Sequence, residues 1–150
     1  MSLRRKITIA VVLTVLGAGG YLGYRFLYVA GNIPEAYAAW DTGQLLVKYM
    51  QVNQNRWPTS WEDLVTVMNM EAGSQMTLYG ANAGYTNYVL TLHNKVAINW
   101  KFDPSRSDQV APVTRPSGGS FPIVWEHGEP NEMVRAYLKA AGTTNAHQPR

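Results

Sequence analysis

The sequence predicts an α+β fold, in which an N-terminal transmembrane helix continues into an amphipathic helix packed on a small antiparallel sheet, with a further helix at the C-terminus. Residues 7–24 form a run of 18 residues without a charge, which as a helix is about 27 Å long. Apolar residues recur at helical spacing from Glu35 to Asn53 and after Asn131, whereas they alternate in short segments between these regions. Outside the apolar run, one modest hydrophobic core is expected.

The apolar run predicts an uncleaved membrane-spanning helix over residues 7–30. Residues 1–6 contain Arg4-Arg5-Lys6, which the positive-inside rule places in the cytoplasm. Residues 31–142 are then a periplasmic or other extracytoplasmic domain of a bacterial inner-membrane protein, and residues 143–150 a disordered tail. A cleaved signal peptide has the same basic-then-apolar order, but its apolar region is usually shorter, at about 7 to 15 residues.

Small side chains recur at four-residue spacing within the predicted membrane helix. Such spacing lets a second helix approach closely in a bilayer. The candidate packing residues are Ala10, Thr14, Ala18, Gly19 and Gly23. Gly and Ala are also frequent in membrane helices without a partner, so the alternative is a helix surrounded by lipid alone.

Two helices with recognisable start and stop signals are expected next. Gly31 to Pro34 is predicted to break or kink the first helix, and the helix from Glu35 to about Asn53 should cover a sheet with one apolar face. Pro58 favours an extended turn before it. Thr59 and Ser60 each precede an acidic residue by three positions, a capping-box pattern that predicts a short helix through about Met68.

The remaining segments predict a small sheet and a final helix. A brief strand is expected at Met76–Tyr79, a hairpin from Thr86–Leu92 and Val96–Phe102, and a third strand at Phe121–Glu126. Asp103–Ser120, rich in Pro and Ser, predicts a long exposed connection. Asn131 is the expected cap of the last helix, which Gly142 should end and whose apolar stripe is Met133, Val134, Tyr137, Leu138 and Ala141.

Charge and composition disfavour several kinds of partner for the domain. Four of the 13 basic residues lie in the first 30, leaving nine basic and ten acidic side chains from Gly31 onward. A nucleic-acid interface needs a concentrated basic surface, so none is predicted. The chain has no cysteine, and His93, His127 and His147 lack metal-ligand spacing. Neither a metal nor a cofactor is expected.

Catalysis is not predicted either. No nucleophile elbow, P-loop or dinucleotide fingerprint is present. A hydrolase would have to use Glu126, His127 and Asp103. Adjacent strand residues point to opposite faces, so we expect Glu126 and His127 not to converge.

Tryptophans are the candidate interaction residues of the domain. Trp57, Trp61, Trp100 and Trp125 could stack on sugar rings or hold a peptide, in which case two or more should be exposed in one groove. The alternative is that they pack in the core and its turns.

The motif Tyr49-x-x-x-Asn53-x-x-x-Trp57-Pro58-Thr59-Ser60-Trp61-Glu62-Asp63-Leu64, after a membrane helix and before a small sheet, resembles the type IV pilin-like proteins, especially type II secretion pseudopilins. The prepilin signature, a glycine followed by phenylalanine and then glutamate, is missing from Arg4–Leu16, so the resemblance implies a fixed anchor. The expected function is a non-enzymatic scaffold or accessory subunit of an inner-membrane or envelope complex, with the bilayer and other membrane subunits as partners. Alternatives are an extracytoplasmic glycan- or peptide-binding module and an accessory subunit of a respiratory or photosynthetic complex.

Overall fold

The computed structural model describes residues 3–70, 76–81, 84–106 and 111–145, and it confirms the predicted α+β fold. The helices are α1 (Leu3–Val52), α2 (Trp61–Met68), α3 (Tyr85–Thr91) and α4 (Pro130–Asn145), and the strands are β1 (Ala97–Ile98) and β2 (Val113–Thr114). A 3₁₀ turn, Leu92–Asn94, directly follows α3. The chain forms two compact units, residues 1–33 and 34–150.

In the first unit, α1 is a helix with an exposed apolar surface. The described side chains from Leu3 to Gly31 are all exposed, and those of Leu22, Phe26 and Leu27 have 66%, 72% and 71% of their surface accessible. The helix is long and apolar enough to cross a membrane. The expectation of one N-terminal helix able to span a membrane is therefore confirmed, and the bounds 7–30 stay a prediction.

Gly31–Pro34 lie inside α1, so the helix continues through them as the predicted fold has it, and a break, one of the two outcomes expected at these residues, is wrong. Pro34 has no N–H and cannot donate to the carbonyl of Ala30, four residues earlier. One missing hydrogen bond does not end a helix whose neighbouring turns keep theirs. The side-chain amide of Asn32 also donates to the carbonyl of Tyr28 at 2.7 Å, which adds a bond next to the missing one.

From Pro34 to Val52, α1 is the central helix of the second unit. Every residue from Ala36 to Met50 is buried or half-buried. The buried residues of this stretch include Ala36, Ala38, Ala39, Asp41, Thr42, Leu45, Leu46 and Met50. This stretch of α1 is therefore buried on more of its circumference than the single apolar face that the sequence predicts.

α1 ends at Val52, and the polar turn that follows leads to α2. Of the two predicted capping registers, the structure uses the one that begins at Ser60. Ser60 Oγ accepts from the N–H of Asp63 at 3.4 Å, and the Asp63 carboxylate accepts from the N–H of Thr59 at 2.7 Å. Because these bonds satisfy N–H groups at the start of a helix, α2 forms over Trp61–Met68 as predicted.

The first strand of the predicted hairpin, Thr86–Leu92, is wrong because α3 occupies most of it. Tyr88 is half-buried and Val89 and Leu92 are buried, so the inward side chains follow a helical spacing of three or four residues. β-branched and aromatic residues in this segment favoured a strand on composition. Tertiary packing overrides that preference.

The second predicted strand, Val96–Phe102, is shortened to β1 by a turn at Asn99. The carbonyl of Asn99 accepts from the N–H of Phe102 at 3.0 Å, and its side-chain oxygen accepts from the N–H of Lys101 at 3.1 Å. These bonds turn the chain away from the ladder after Ile98.

The sheet is completed by β2, which pairs antiparallel with β1. Ala97 lies opposite Thr114, and Ile98 lies opposite Val113. β2 lies within Asp103–Ser120, where the sequence predicts only an exposed connection, and Val113 is 1% exposed. The prediction is wrong for β2, because its few buried residues lie among many polar ones and give no strand pattern in the sequence.

Two other predicted strands do not form in the part of the chain that the structure describes. Met76–Tyr79 joins no sheet, and the N–H of Tyr79 donates to a side chain instead. Phe121–Glu126 has the predicted alternation, with Phe121 buried and Pro122 exposed. It pairs with no described strand, and Pro122 cannot donate to a ladder.

α4 packs through the predicted apolar stripe. Val134 is buried and Met133, Tyr137, Leu138 and Ala141 are half-buried. The helix continues to Asn145, beyond the predicted end at Gly142. The predicted disordered tail therefore begins inside α4, and residues 146–150 lie outside the described part of the chain.

Candidate functional site

A buried carboxylate joins α1 to α3 and to the segment that precedes α3. Asp41 is 0% exposed. Its two oxygens accept hydrogen bonds from the N–H of Tyr79 at 2.9 Å, from the N–H of Gly80 at 2.8 Å and from the hydroxyl of Tyr88 at 2.7 Å. A buried charge requires such donors. Asp41 therefore holds three parts of the chain together.

Tyr88 and Gly80 fit tightly around this carboxylate. Burial, together with the hydrogen bond to Asp41 and its charge, raises the pKa of Tyr88 far above its usual value. A Cβ atom at Gly80 would lie 2.0 Å from the hydroxyl oxygen of Tyr88, so this position accepts only glycine without rearrangement. The arrangement keeps Tyr88 protonated and points to a structural role.

Asn131 is not the cap of α4, as the sequence predicts, but the support of β2. Its side-chain oxygen accepts from the N–H of Val113 at 2.9 Å, and its amide donates to the carbonyl of Val113 at 2.9 Å. Glu129 takes the capping role by accepting from the N–H of Glu132 at 2.7 Å. The side chain of Asn131 thus pairs with β2 much as a neighbouring strand would.

Three of the four candidate tryptophans belong to two pairs of aromatic rings, Trp57 with Phe102 and Trp61 with Trp100. Trp57 is 9% exposed, its Nε1–H donates to the carbonyl of Asn99 at 2.9 Å, and its ring centroid is 4.7 Å from that of Phe102. Trp61 and Trp100 are half-buried and meet edge to face at 5.5 Å. Trp57 thereby fastens the turn before α2 to the turn after β1.

Trp125 belongs to an aromatic group around α1. Its ring lies 5.1 Å from Tyr37, and Tyr79 lies 6.2 Å from Tyr37 and 5.0 Å from Trp40. The indole N–H of Trp125 is buried without a hydrogen-bond partner among the described residues. All four tryptophans pack on other rings of the protein, and their use for a glycan or peptide stays a prediction.

Glu126 and His127, the residues considered for catalysis, approach each other more closely than the sequence predicts. His127 Nε2 lies 3.7 Å from Glu126 Oε1, and both side chains are 91% exposed. They can meet because His127 has a positive φ of 60° and the segment is a turn. Asp103 accepts from the N–H and hydroxyl of Ser105. An exposed pair in water has no enclosed space for a substrate.

The candidate packing residues of the membrane helix all lie on exposed surface of the first unit. Thr14 donates its hydroxyl to the carbonyl of Ala10 at 2.9 Å, which satisfies that hydroxyl within the helix. A Cβ atom at Gly19 or Gly23 would meet no atom within 4 Å. Ala18 is exposed as well. Packing against another helix therefore stays a prediction.

A cleft of about 400 Å³ lies between α4 and the loop that follows β1. It is lined by Phe102, Pro104, Ser105, Arg106, Pro112, Arg135, Leu138 and Lys139. Its residues come from three separate segments, and for that reason sequence reasoning missed it. One signal was available: Arg135 and Lys139 are four residues apart and share a helix face.

Among the described residues, no group of three or more His, Asp or Glu side chains is arranged to hold a metal ion. No protein-family model, curated protein or solved structure matches the chain.

Proposed function

We propose that this chain is a single-pass inner-membrane protein that serves as a non-enzymatic scaffold or accessory subunit of an inner-membrane or envelope complex. The observation that carries the proposal is the exposed apolar surface of α1 from Leu3 to Gly31. Exposing that apolar surface to water costs about 25 cal/mol of free energy per Å². A bilayer removes the cost, so the helix is a membrane anchor.

The charge distribution supports an N-in, C-out orientation. Arg4, Arg5 and Lys6 precede the apolar run, and the basic and acidic residues of the second unit nearly balance. Basic residues close to the end of a first membrane helix are retained in the cytoplasm. The folded domain is then extracytoplasmic, or periplasmic in a cell with two membranes.

The non-enzymatic part of the proposal is supported by what the acidic side chains do. Asp41, Asp63 and Glu129 accept hydrogen bonds that hold turns and helix starts. Glu35 forms a two-point ion pair with Arg115, at 2.5 Å and 3.2 Å. Catalysis needs acid–base groups that converge on a space for substrate, and these carboxylates are instead committed to the fold.

Pilin-like kinship is one form of this proposal. In that form the chain would accompany a secretion or pilus machine while staying fixed in the membrane, since the prepilin cleavage signature is missing from Arg4–Leu16. Gly19 and Gly23 would give a neighbouring helix a place for close approach. An accessory subunit of a respiratory or photosynthetic complex would use the same face.

The test is purification of the full chain from its native membrane in a mild detergent, followed by size analysis and mass spectrometry. The matched variant is Gly19→Leu with Gly23→Leu, compared with Leu13→Ala and Leu22→Ala, which alter exposed positions of the same helix. We expect wild type to elute with a fixed stoichiometry of other membrane subunits. The glycine variant should lose them and the control should keep them.

A chain that elutes alone at its own mass, under several mild detergents, would contradict the scaffold proposal. Loss of the companions from both variants would place the contact elsewhere on the helix than at the glycines.

A further inference from the structure

Arg25 is a single charge within the exposed apolar surface of α1. Residues 7–24 and 26–34 contain no other charged side chain, and Arg25 itself is exposed. The first unit, residues 1–33, contains no acidic residue. The first one in the chain, Glu35, is already paired with Arg115 at 2.5 Å. A guanidinium stays charged in proteins, so the counter-charge of Arg25 has to come from the surroundings of the helix.

The position of Arg25 along α1 matches the thickness of a bilayer. Arg25 follows Arg5 by 20 residues, which is about 30 Å of helical rise. The hydrocarbon core of a bilayer is about 30 Å thick. With Arg5 at the inner boundary of that core, Arg25 lies at the outer boundary and not in the midplane. An arginine at this depth reaches the headgroups through its long side chain.

The aromatic residues of the first unit are all close to Arg25. Residues 1–20 contain no Phe, Trp or Tyr, whereas residues 21–28 contain Tyr21, Tyr24, Phe26 and Tyr28. Tyrosine is enriched where a membrane helix crosses the headgroup layer, because its ring is apolar and its hydroxyl is polar. The aromatic residues therefore place the same boundary at Arg25 as the length of the helix does.

Two of these tyrosines share a helix face with Arg25. Tyr21 precedes it by four residues and Tyr28 follows it by three, the spacings at which side chains on a helix are neighbours. Tyr21 and Tyr28 are 62% and 40% exposed, and the ring of Tyr28 stacks on that of Tyr24 at 6.3 Å. This face therefore offers the N–H groups of a guanidinium and two phenol hydroxyls as hydrogen-bond donors to one anion.

We propose that Arg25, with Tyr21 and Tyr28, binds the phosphate of a phospholipid in the outer leaflet of the membrane. Phosphate is the anion that every phospholipid supplies at this depth, whereas a carboxylate of a partner helix would be required for a charge in the midplane. The site also sets the depth of α1, because the hydrocarbon core ends at Arg25 and residues 26–30 lie in the headgroup layer. The inference rests on the membrane anchor of the proposed function and adds a lipid site to it.

The first experiment detects the contact with phosphate. The full chain, with an isotopic label at the guanidinium carbon of every arginine, is reconstituted without other proteins in phosphatidylcholine bilayers. Solid-state NMR then measures how much of the arginine signal is dephased by the phosphorus nuclei of the lipid. Arg25→Gln is compared with Arg56→Gln, which removes an exposed arginine of the folded domain.

We expect Arg25→Gln to remove about a third of the dephased signal, because Arg4 and Arg5 lie at the opposite headgroup layer and account for the rest. Arg56→Gln should leave the dephased signal unchanged. Tyr21→Phe with Tyr28→Phe should lower it by less than Arg25→Gln does, because the two hydroxyls are lost and the charge remains.

The second experiment measures the depth of α1 in the same bilayers. The chain has no cysteine, so Leu22→Cys and Leu27→Cys each carry a single spin label, whose collisions with oxygen and with a water-soluble nickel complex report depth. We expect the label at position 22 in the hydrocarbon core and the label at position 27 in the headgroup layer. Arg25→Gln should draw the second label inward by up to about 7 Å, the rise of residues 26–30, and Arg25→Lys should not.

Two results would overturn the inference: dephasing that Arg25→Gln leaves unchanged, or a wild-type label at position 27 that lies as deep as the label at position 22. Dephasing that Tyr21→Phe with Tyr28→Phe leaves unchanged would overturn the role of the two hydroxyls. Loss of the phosphate contact when companion subunits are restored would assign Arg25 to a partner carboxylate and would also overturn it. A chain that does not enter the bilayer contradicts the proposed function instead, so the two failures are distinguishable.

Discussion

The two parts of α1 have opposite surroundings although they belong to one helix. From Leu3 to Gly31 the described side chains are exposed and mostly apolar, whereas from Ala36 to Met50 they are buried or half-buried. The second part accommodates a carboxylate, Asp41, because three donors surround it. In the first part a carboxylate would have no such donors among the described contacts. One helix therefore has two kinds of surface, an exposed apolar one that is long enough to cross a membrane and one that is packed in folded protein.

The largest effect is expected from placing charge in the first part. Val15→Asp with Leu16→Asp should cost about 5–7 kcal/mol of insertion free energy, since each Asp at a helix centre costs about 2.5–3.5 kcal/mol. The chain should leave the alkali-resistant membrane fraction. Tyr85→Asp with Leu90→Asp changes apolar residues that are 46% and 38% exposed in α3, and it should leave the fractionation unchanged. Retention of the Val15→Asp, Leu16→Asp variant in the membrane fraction would show that this part of α1 is not embedded in lipid.

The next effect concerns the buried charge of the second part. Asp41→Leu leaves two backbone N–H groups and the hydroxyl of Tyr88 unpaired, at about 1–3 kcal/mol each, so unfolding should become easier by about 3–5 kcal/mol. Urea denaturation of the chain in micelles, followed by tryptophan fluorescence, measures this. Glu126→Leu, at a 91% exposed side chain, should stay within about 0.5 kcal/mol. Equal midpoints for the two variants would refute the role given to Asp41.

A smaller loss of stability is expected at Asn131, whose side chain hydrogen-bonds to β2 as a neighbouring strand would. Asn131→Leu removes both hydrogen bonds to Val113 and should cost about 2–3 kcal/mol. The same substitution at the exposed residue Asn87 of α3 is the matched control and should cost less than about 0.5 kcal/mol. If the control is as costly as Asn131→Leu, the loss reflects the substitution itself and not the support of β2.

The smallest effect lies at the exposed cap of α2 and depends on pH. Hydrogen bonds from the backbone and side chain of Thr59 lower the pKa of Asp63. The ionised group therefore stabilises the fold above its unfolded pKa of about 3.9, and this contribution is lost as the pH falls through the lower folded pKa. Asp63→Asn should cost about 0.5–1 kcal/mol at pH 7, and its urea midpoint should approach that of wild type by pH 2.5. A difference that is the same at both pH values would rule out the ionised cap.

Local features of the sequence predicted much of the fold. The apolar run, the end of α1 near Asn53, the capping pattern at Ser60 and the stripe of α4 each depend on residues within one or two turns of each other. Hydrogen bonding and side-chain spacing act over that range, so such features can be read from a single segment.

Contacts between distant segments could not be predicted. Asp41 reaches Tyr79 and Tyr88, which follow it by 38 and 47 residues, and no spacing in the sequence pairs them. The α3 segment has strand-like composition but helical burial, and only the core around Val89 decides between the two. The cleft has the same origin, because Phe102, Pro112 and Leu138 meet only in the folded domain.

The most direct test of the account is the topology of the chain in its native membrane. The sequence has no cysteine, so Ser2→Cys and Ser117→Cys each introduce a unique label site, and Ser117 is exposed. A membrane-impermeant maleimide is added to cells before and after lysis, with the outer membrane permeabilised if one is present. The account predicts that Ser117→Cys is labelled before lysis and Ser2→Cys only afterwards. Labelling of Ser2→Cys before lysis, or recovery of the chain in the soluble fraction, would contradict it.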